Sequence, residues 1–424
     1  MNKMIVILIT ALIFVLIDLY VFQAIKIAVS DSSLLIKRIV IGGYWTITLA
    51  TLGLFFLFNF GDPDALGPKT RTFIITGIVS NYFIKLFIVL FLLIDDLIRL
   101  GKWIYQNISG ITSTETPSVI PSEGGISRSE FLVKTGLIVS AVPFVGIGYG
   151  ILSGAHDYRI RRKTITLRNL PKAFDGIKIA QLSDIHSGSF FNKTAVKGGV
   201  DLLLKEKPDV VVFTGDLVNN KASEFNDYFD IFKRVKAPLG VYSTLGNHDY
   251  GEYVKWPSKQ AMADNLKDLL AAHKEMGWEL LMNEHRFLKE AGEQIAILGI
   301  ENWGTGRWPK YGKMEKAYLG TETTPVKLLL SHDPSHWDGQ VRPLYPDIDV
   351  TFAGHTHGMQ FGVEVGDLKW SPSQYIYKQW AGLYQEEEQY LYVNRGYGYL
   401  GFPGRVGMPP EITIIELKAA DYKT

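Results

Sequence analysis

Residues 240–249 read GVYSTLGNHD. The run Gly240–Leu245 is mostly apolar and β-prone, and Gly246-Asn247-His248-Asp249 follows it at once. A glycine closing a buried strand lets the chain turn sharply and leaves the next side chains standing at the carboxyl edge of a sheet. Amide, imidazole and carboxylate in succession suit metal ligation or acid–base work better than packing. The pattern recurs. Ile177–Leu182 runs into Asp184-Ile-His186, Val210–Thr214 into Gly215-Asp216, Val326–Leu330 into Ser331-His332-Asp333, and Ile348–Phe352 into Gly354-His355-Thr356-His357. Five of the nine histidines fall in these five clusters. A single Asp or His at a strand end is ordinary turn chemistry. Five clusters, three of them beside glycine, predict that separate strands deliver their side chains to one place.

Outward from these clusters, continuous apolar runs (Ile295–Ile300 among them) read as buried strands. Helical spacing fits Thr194–Lys205, Glu224–Lys233 and Lys259–Met276, and Tyr158–Leu167 partly alternates as a first strand. Tyr390–Asn394 and Ile412–Leu417 are expected to complete a second sheet. Residues 156–424 are therefore expected to fold as an α/β domain with a central sheet pair and flanking helices. There is no cysteine, so any metal is held by oxygen and imidazole. That donor set suits two divalent ions, Mn²⁺ first, with Fe or Zn²⁺ as alternatives. Two such ions about 3.5–4 Å apart activate a shared water and clamp the attacking and leaving oxygens of a phosphoryl transfer. The chemistry is hydrolysis of a phosphate ester or anhydride.

The order D-x-H, G-D, G-N-H-D, H, G-H-x-H over roughly residues 165–418 resembles the calcineurin-like metallophosphoesterase superfamily. The resemblance implies a four-layer α-β-β-α sandwich. It implies that Asp184, His186 and His357 hold one metal, that Asn247, His332 and His355 hold the other, and that Asp216 bridges them. It makes His248 the histidine that stabilises the transferring phosphoryl group or protonates the leaving oxygen. Asp249 is expected to orient His248 through a hydrogen bond. Membrane-tethered members resemble the chain more closely: cell-envelope phosphoesterases with export-type signals, and enzymes that cleave the pyrophosphate of UDP-2,3-diacylglucosamine. The tail Asn394-Arg395-Gly396-Tyr397-Gly398, Pro403-Gly404-Arg405 and Pro409-Pro410-Glu411-Ile412 resembles that subgroup too. Arg395 or Arg405 is expected either to reach substrate phosphate as a bidentate donor or to serve as a plain ion pair.

Of 424 residues, the first 155 carry 11 Lys/Arg and 9 Asp/Glu, and the remainder 33 and 34. The amino-terminal part is too poorly charged for a soluble domain. Four stretches, 4–22, 39–60, 73–94 and 131–152, are long and apolar enough to span a bilayer, so a multi-pass anchor in a bacterial-type inner or cell membrane is expected. Asp18 and Lys85 interrupt two of them. They either pair inside the bundle and mark a site, or Asp18 sits near an interface and Lys85 snorkels. Residues 107–125 read as a flexible linker. Ser127-Arg128-Ser129-Glu130-Phe131-Leu132 resembles a twin-arginine export signal, with Ser129 where the second arginine belongs. The net charge of +1 argues against a nucleic-acid partner.

Two insertions beside the ligand clusters are rich in aromatics: 302–320 (Trp303, Trp308, Tyr311, Tyr318) and 359–388 (Phe361, Trp370, Tyr375, Tyr377, Trp380, Tyr384). They either pack their own loops or form an apolar lip at the bilayer, with Trp370 and Trp380 meeting a lipid-linked phosphate substrate. All seven ligand positions and His248 are present, which disfavours a non-catalytic scaffold. Lys26, Lys37 and Arg38 after the first span place the amino terminus outside, and four spans then place the catalytic domain outside too. Arg159, Arg161, Arg162 and Lys163 oppose this, and UDP-2,3-diacylglucosamine would require a cytosolic site. A reporter fused after Lys163 is expected to be active only when it is of the kind that works outside the cytoplasm. Activity from a reporter that needs the cytoplasm would reverse the orientation.

Overall fold

The computed structural model describes residues 3–108, 128–307, 309–366 and 368–420. The linker expected at 107–125 falls almost entirely outside these, as do Ser127 and Trp308. The chain divides into two compact units, one ending at Gly148 and the other beginning at Tyr149.

The first unit is built on four helices: α1 (Lys3–Ala28), α2 (Leu34–Phe60), α3 (Pro68–Ile108) and α4 (Arg128–Leu152). All four are long and apolar enough to cross a membrane. The third was expected to stop at Asp95-Asp96 and instead continues to 41 residues, about 60 Å of helix against an apolar layer of about 30 Å. The two carboxylates do not break it because Arg99, one turn on, pairs with both. Tyr20 on α1 also donates to Asp96.

Asp18 and Lys85 meet inside the bundle. The Lys85 ammonium lies 2.5 Å from Asp18 Oδ1 and 5.1 Å from the ring centroids of both Tyr44 and Tyr82. Thr48 (3.0 Å) and Tyr44 (3.2 Å) donate to the same oxygen, and Tyr82 donates to Oδ2 at 2.9 Å. Asp18 is fully buried. The cluster ties α1, α2 and α3 together with its charges answered by protein groups, as apolar surroundings demand.

The second unit stacks two six-stranded sheets. The first runs β1 (Arg159–Leu167), β14 (Glu411–Ala419), β2 (Lys178–Leu182), β3 (Val210–Phe213), β4 (Val241–Ser243), β5 (Glu279–Leu280). The second runs β12 (Gly382–Glu386), β13 (Gln389–Val393), β9 (Val350–Ala353), β8 (Lys327–Leu330), β7 (Glu293–Gly299), β6 (Glu284–Glu290). A separate hairpin pairs β10 (Val363–Val365) with β11 (Leu368–Trp370). Strand alternation sends each apolar run to two layers. Val210 and Val212 enter the core between the sheets, while Val211 and Phe213 face the helices α5 (Lys193–Lys205) and α7 (Lys259–Met276). Ile295 and Ile297 likewise face the first sheet, and Ala296 and Leu298 face the outer layer with Met314 and Trp337. The result is a four-layer α-β-β-α sandwich.

Two expectations change. Ile412–Leu417 belongs to the first sheet, where β14 lies parallel to β1 and antiparallel to β2. It is buried on both faces, with Ile412 and Ile414 on one and Ile415 and Leu417 on the other, so it needs ladder partners on both edges. The helix expected at Glu224–Lys233 breaks into a turn, Ala222–Phe225, and the single-turn helix α6 (Phe229–Phe232). Glu224 turns inward to accept from the Asn219 and Asn220 amides, and Asn265 captures the Ala222 amide.

Lys85→Met leaves Asp18 charged without a counter-ion and is expected to cost on the order of 3 kcal/mol of stability. Adding Asp18→Asn should recover most of that loss, measured by thermal unfolding in detergent. Additive losses would show that the two do not interact.

Candidate metal centre

The expected ligands follow the ends of β2, β3 and β4 in one sheet and β8 and β9 in the other. Five of the seven adopt left-handed backbone angles: Asp184 (φ 52°), His186 (47°), Asp216 (60°), His355 (70°) and His357 (52°). Each such residue costs on the order of 1 kcal/mol, and such strain concentrates where function demands it. The turns are held by one another. The Asp184 amide donates to Gly215 O at 2.9 Å, His186 to Asp216 O at 3.0 Å, and Gly354 to His332 O at 2.9 Å. Two glycines are required by close approach. A Cβ on Gly246 would strike the Asp216 carboxylate, and one on Gly354 would strike Asp184 and Ser183.

Two groups converge, Asp184 with His186 and His357, and Asp216 with His332 and His355. In each, one donor atom per residue lies within 4.8 Å of the others. The rings are fixed from behind. His186 Nδ1 donates to Asn219 Oδ1 (3.2 Å) and His332 Nδ1 to Thr214 O (2.7 Å). Their Nε2 atoms stand 3.4 and 3.2 Å from Asp216 Oδ2. His357 Nε2 is 3.2 Å from Asp184 Oδ1. His355 is turned the other way: its Nε2 meets the Tyr377 hydroxyl at 2.8 Å and its Nδ1 faces His332. Asn247 donates its Nδ2 to Tyr253 Oη at 2.7 Å, which leaves Oδ1 as the inward atom. Among the described residues, the buried Asn247 Oδ1 and His186 Nε2 have no hydrogen-bond partner. Imidazoles oriented from outside, with spare inward lone pairs, fit divalent metal ions.

The electrostatics agree. Burial alone would raise the Asp184 and Asp216 carboxyls, yet the facing histidines hold both well below the usual carboxylate range. Burial works against charge on His332, but Asp216 and Asp184 lift its pKa to about 10. The pocket demands positive charge.

Comparison with known proteins is consistent with this geometry. The family model described as calcineurin-like phosphoesterase matches residues 177–359, and one described as probable calcineurin-like phosphoesterase, transmembrane domain, matches residues 2–155. Residues 177–359 belong to the calcineurin-like phosphoesterase family. A Danio rerio transmembrane protein with metallophosphoesterase domain is 32% identical over 292 residues, which cover 67% of this chain and 62% of that one, so the chain spans less than two thirds of that relative. The uncharacterized metallophosphoesterase YkuE of Bacillus subtilis is 28% identical, covering 70% and 99%. The UDP-2,3-diacylglucosamine pyrophosphatase LpxG of Chlamydia trachomatis is 28% identical, covering 58% and 86%.

In this phosphoesterase domain Asp249 does not orient His248. The Asp249 carboxylate is buried and accepts from the amides of Asp216 (2.8 Å), Leu217 (2.8 Å) and Gly246 (2.9 Å), pinning the Asp216 turn to the Asn247 turn. Burial and the Asp216 charge push its carboxyl up to about 7, against the amides that favour the carboxylate. His248 is oriented instead by Asn219, whose carbonyl accepts from Nδ1 at 2.8 Å, and by stacking on Tyr253 with centroids 4.3 Å apart. The His248 amide donates to Asp216 Oδ1 at 2.9 Å. Burial lowers the His248 pKa although Asp216 opposes it.

Of the four expected substrate residues, Arg395, Arg405 and Trp380 are enclosed by protein and Trp370 is exposed. Arg405 is buried, with its guanidinium taken up by the carbonyls of Arg395, Gly396, Gly398 and Met408 and by the edge of His357. Arg395 is buried against Glu411 (2.6 Å) and Glu364 (3.1 Å). Trp380 is buried with Met408 and Tyr377, whereas Trp370 is 37% exposed on β11. Asn219, Tyr253 and Tyr377 were not singled out as site residues from the sequence. No motif marks them, because each acts through a contact that only the fold creates.

His248→Ala is expected to cut turnover of a chromogenic phosphodiester by about 10²–10⁴ with little change in melting temperature. Asp249→Ala should lower the melting temperature as well, since it strands several buried amides at about 1–3 kcal/mol each. Equal melting temperatures for the two variants would contradict the assigned hydrogen bonds.

Proposed function

We propose that the chain is a membrane-anchored, metal-dependent phosphohydrolase that cleaves a phosphate ester or pyrophosphate, with a lipid-linked or envelope substrate. The observation that carries it is the convergence of two Asp/His groups beside His248, with His186 Nε2 and the neighbouring Asn247 Oδ1 unspent among the described residues. Asp184, His186 and His357 would hold one divalent ion, Asn247, His332 and His355 the other, and Asp216 would serve both. Mn²⁺ is the proposed metal. When bound, such ions supply Lewis acidity to phosphoryl oxygens and make water nucleophilic at neutral pH. His248 has Nδ1 committed to Asn219, so Nε2 is the atom free to meet substrate. An arriving phosphoryl group adds negative charge, which favours the imidazolium and lets Nε2–H be given to the leaving oxygen.

A cavity of about 340 Å³, lined by Thr305, Asp333, Ser335, Ile376, Tyr377 and Gln379, adjoins His355 through Tyr377 and supports a place for the leaving group. The segment that supplies Tyr377 also exposes Val363, Val365, Leu368, Trp370, Tyr375 and Ile376. This apolar surface supports a lip for lipid, now centred on Trp370 rather than Trp380, and hence a role in lipid metabolism. The extracytoplasmic orientation goes with a lipid-linked phosphate. The likeness to the Chlamydia pyrophosphatase favours a second reading, hydrolysis of UDP-2,3-diacylglucosamine, which places the domain in the cytosol. Arg159, Arg161 and Arg162 weigh less for that orientation than their sequence position suggests, because they are ion-paired with Asp157, Glu364 and Glu206.

Purified chain is expected to hydrolyse a phosphodiester with Mn²⁺, to lose activity in chelator and to regain it on Mn²⁺ addition, with Asp216→Asn inactive throughout. Persistent inactivity toward phosphorylated compounds would reject the reading. Trp370→Ala should impair a lipid-linked substrate at least about tenfold more than a soluble one, the scale expected for loss of one buried aromatic contact. Equal loss would reject the lip.

A further inference from the structure

The β10–β11 hairpin has two unlike faces. Val363 pairs with Trp370 and Val365 with Leu368, all four exposed, while the alternate pair Glu364–Lys369 points to the other side. On that side lies a cavity of about 560 Å³, lined by Arg161, Lys163, Glu364, Lys369 and Arg395 among others. It shares no lining residue with the metal constellation.

Its charge is unbalanced. Glu364 accepts from Arg161 at 2.5 Å and Arg395 at 3.1 Å and lies 3.8 Å from Lys369. The second carboxylate, Glu411, is fully buried and serves Arg395 at 2.6 Å and Arg161 at 3.5 Å. Arg162 is answered separately by Glu206. Four cations, Arg161, Lys163, Lys369 and Arg395, thus share two carboxylates, and Lys163 has no ion-pair partner among the described residues. The Arg395 side chain is 1% exposed, and its Nε–H has no acceptor among the described residues. Burial and the Arg395 charge pull the Lys369 ammonium below its usual pKa. Gly382 forms part of the wall, and a Cβ there would stand 3.4 Å from Lys369 Nζ and 3.9 Å from Arg395 Nη2. A cavity that gathers like charges and leaves a buried donor unspent is built for an anion that supplies the missing charge and several acceptors.

We propose that this cavity is a second, non-catalytic site that binds a phosphate group between Arg161, Lys163 and Lys369, above Arg395. The group is either a lipid headgroup or free phosphate, and the recognising chemistry is the same. Lys163 and Lys369, both exposed residues, close on it, and Arg395 contributes charge from beneath. The site is independent of the reaction proposed for the metal centre.

The test titrates orthophosphate into the full-length, Mn²⁺-loaded chain in detergent by calorimetry, in a His248→Ala background that prevents turnover of ligand. Two binding events are expected, and Lys163→Ala/Lys369→Ala should weaken one of them at least about tenfold. The arginine pair Lys163→Arg/Lys369→Arg should retain both. With His248 intact, the double alanine variant should keep normal turnover of a soluble diester and a normal melting temperature. Dihexanoyl phosphatidic acid, with dihexanoyl phosphatidylcholine as control, separates the sources. Tighter binding of phosphatidic acid than orthophosphate at this site assigns it to lipid, and equal or weaker binding assigns it to free phosphate. Identical phosphate binding by the parent and the double alanine variant would overturn the site, whatever the activity of the metal centre.

Discussion

Two carboxylates buried where two sheets end, Asp184 and Asp216, organise the second unit. Neither can stay ionised in that setting without concentrated positive charge, and three imidazoles face them within 3.4 Å. Bringing those groups together forces five residues into left-handed turns and leaves no room for a side chain at Gly246 or Gly354. The strain is offset by amides that bond to carbonyls from one turn to the next, and by the Asp216, Leu217 and Gly246 amides that share Asp249 as acceptor. The sandwich serves as a rigid frame for this arrangement, since each ligand turn leaves a strand whose two faces are sealed by different apolar layers.

The membrane unit answers the same constraint differently. Asp18 is as buried as Asp184, but a lysine, two tyrosines and a threonine from neighbouring helices satisfy it. Among the described residues these partners occupy both carboxylate oxygens, and the cluster works as a fastening. In the second unit the inward atoms of His186 and Asn247 remain unspent among the described residues. Closed and open satisfaction of buried charge separate a structural cluster from a chemical one.

The strand runs and their terminal clusters were legible because they are local. Val210–Phe213, Lys327–Leu330 and Val350–Ala353 form strands within a residue or two of their apolar runs, and α7 spans Lys259–Met276 as its spacing implied. Less legible was any segment whose fate depends on a distant partner. β14 reads as one more apolar strand, yet its sheet is decided by β1 and β2. Arg405 reads as a phosphate donor or an ion-pair partner in a glycine-rich tail, yet four carbonyls enclose it.

By itself the sequence determined which atoms are available: the oxygen and imidazole donors, the glycines that let them turn, and the apolar lengths that can lie in a bilayer. These follow from residue chemistry and from neighbours along the chain. Tertiary structure alone decided who answers whom: Asn219 rather than Asp249 behind His248, Tyr377 behind His355, Lys85 beside Asp18, and four cations sharing two carboxylates under the β10–β11 hairpin. Hydrogen bonds and charge pairing act over a few ångströms in space, and chain order does not state which residues will be brought that close.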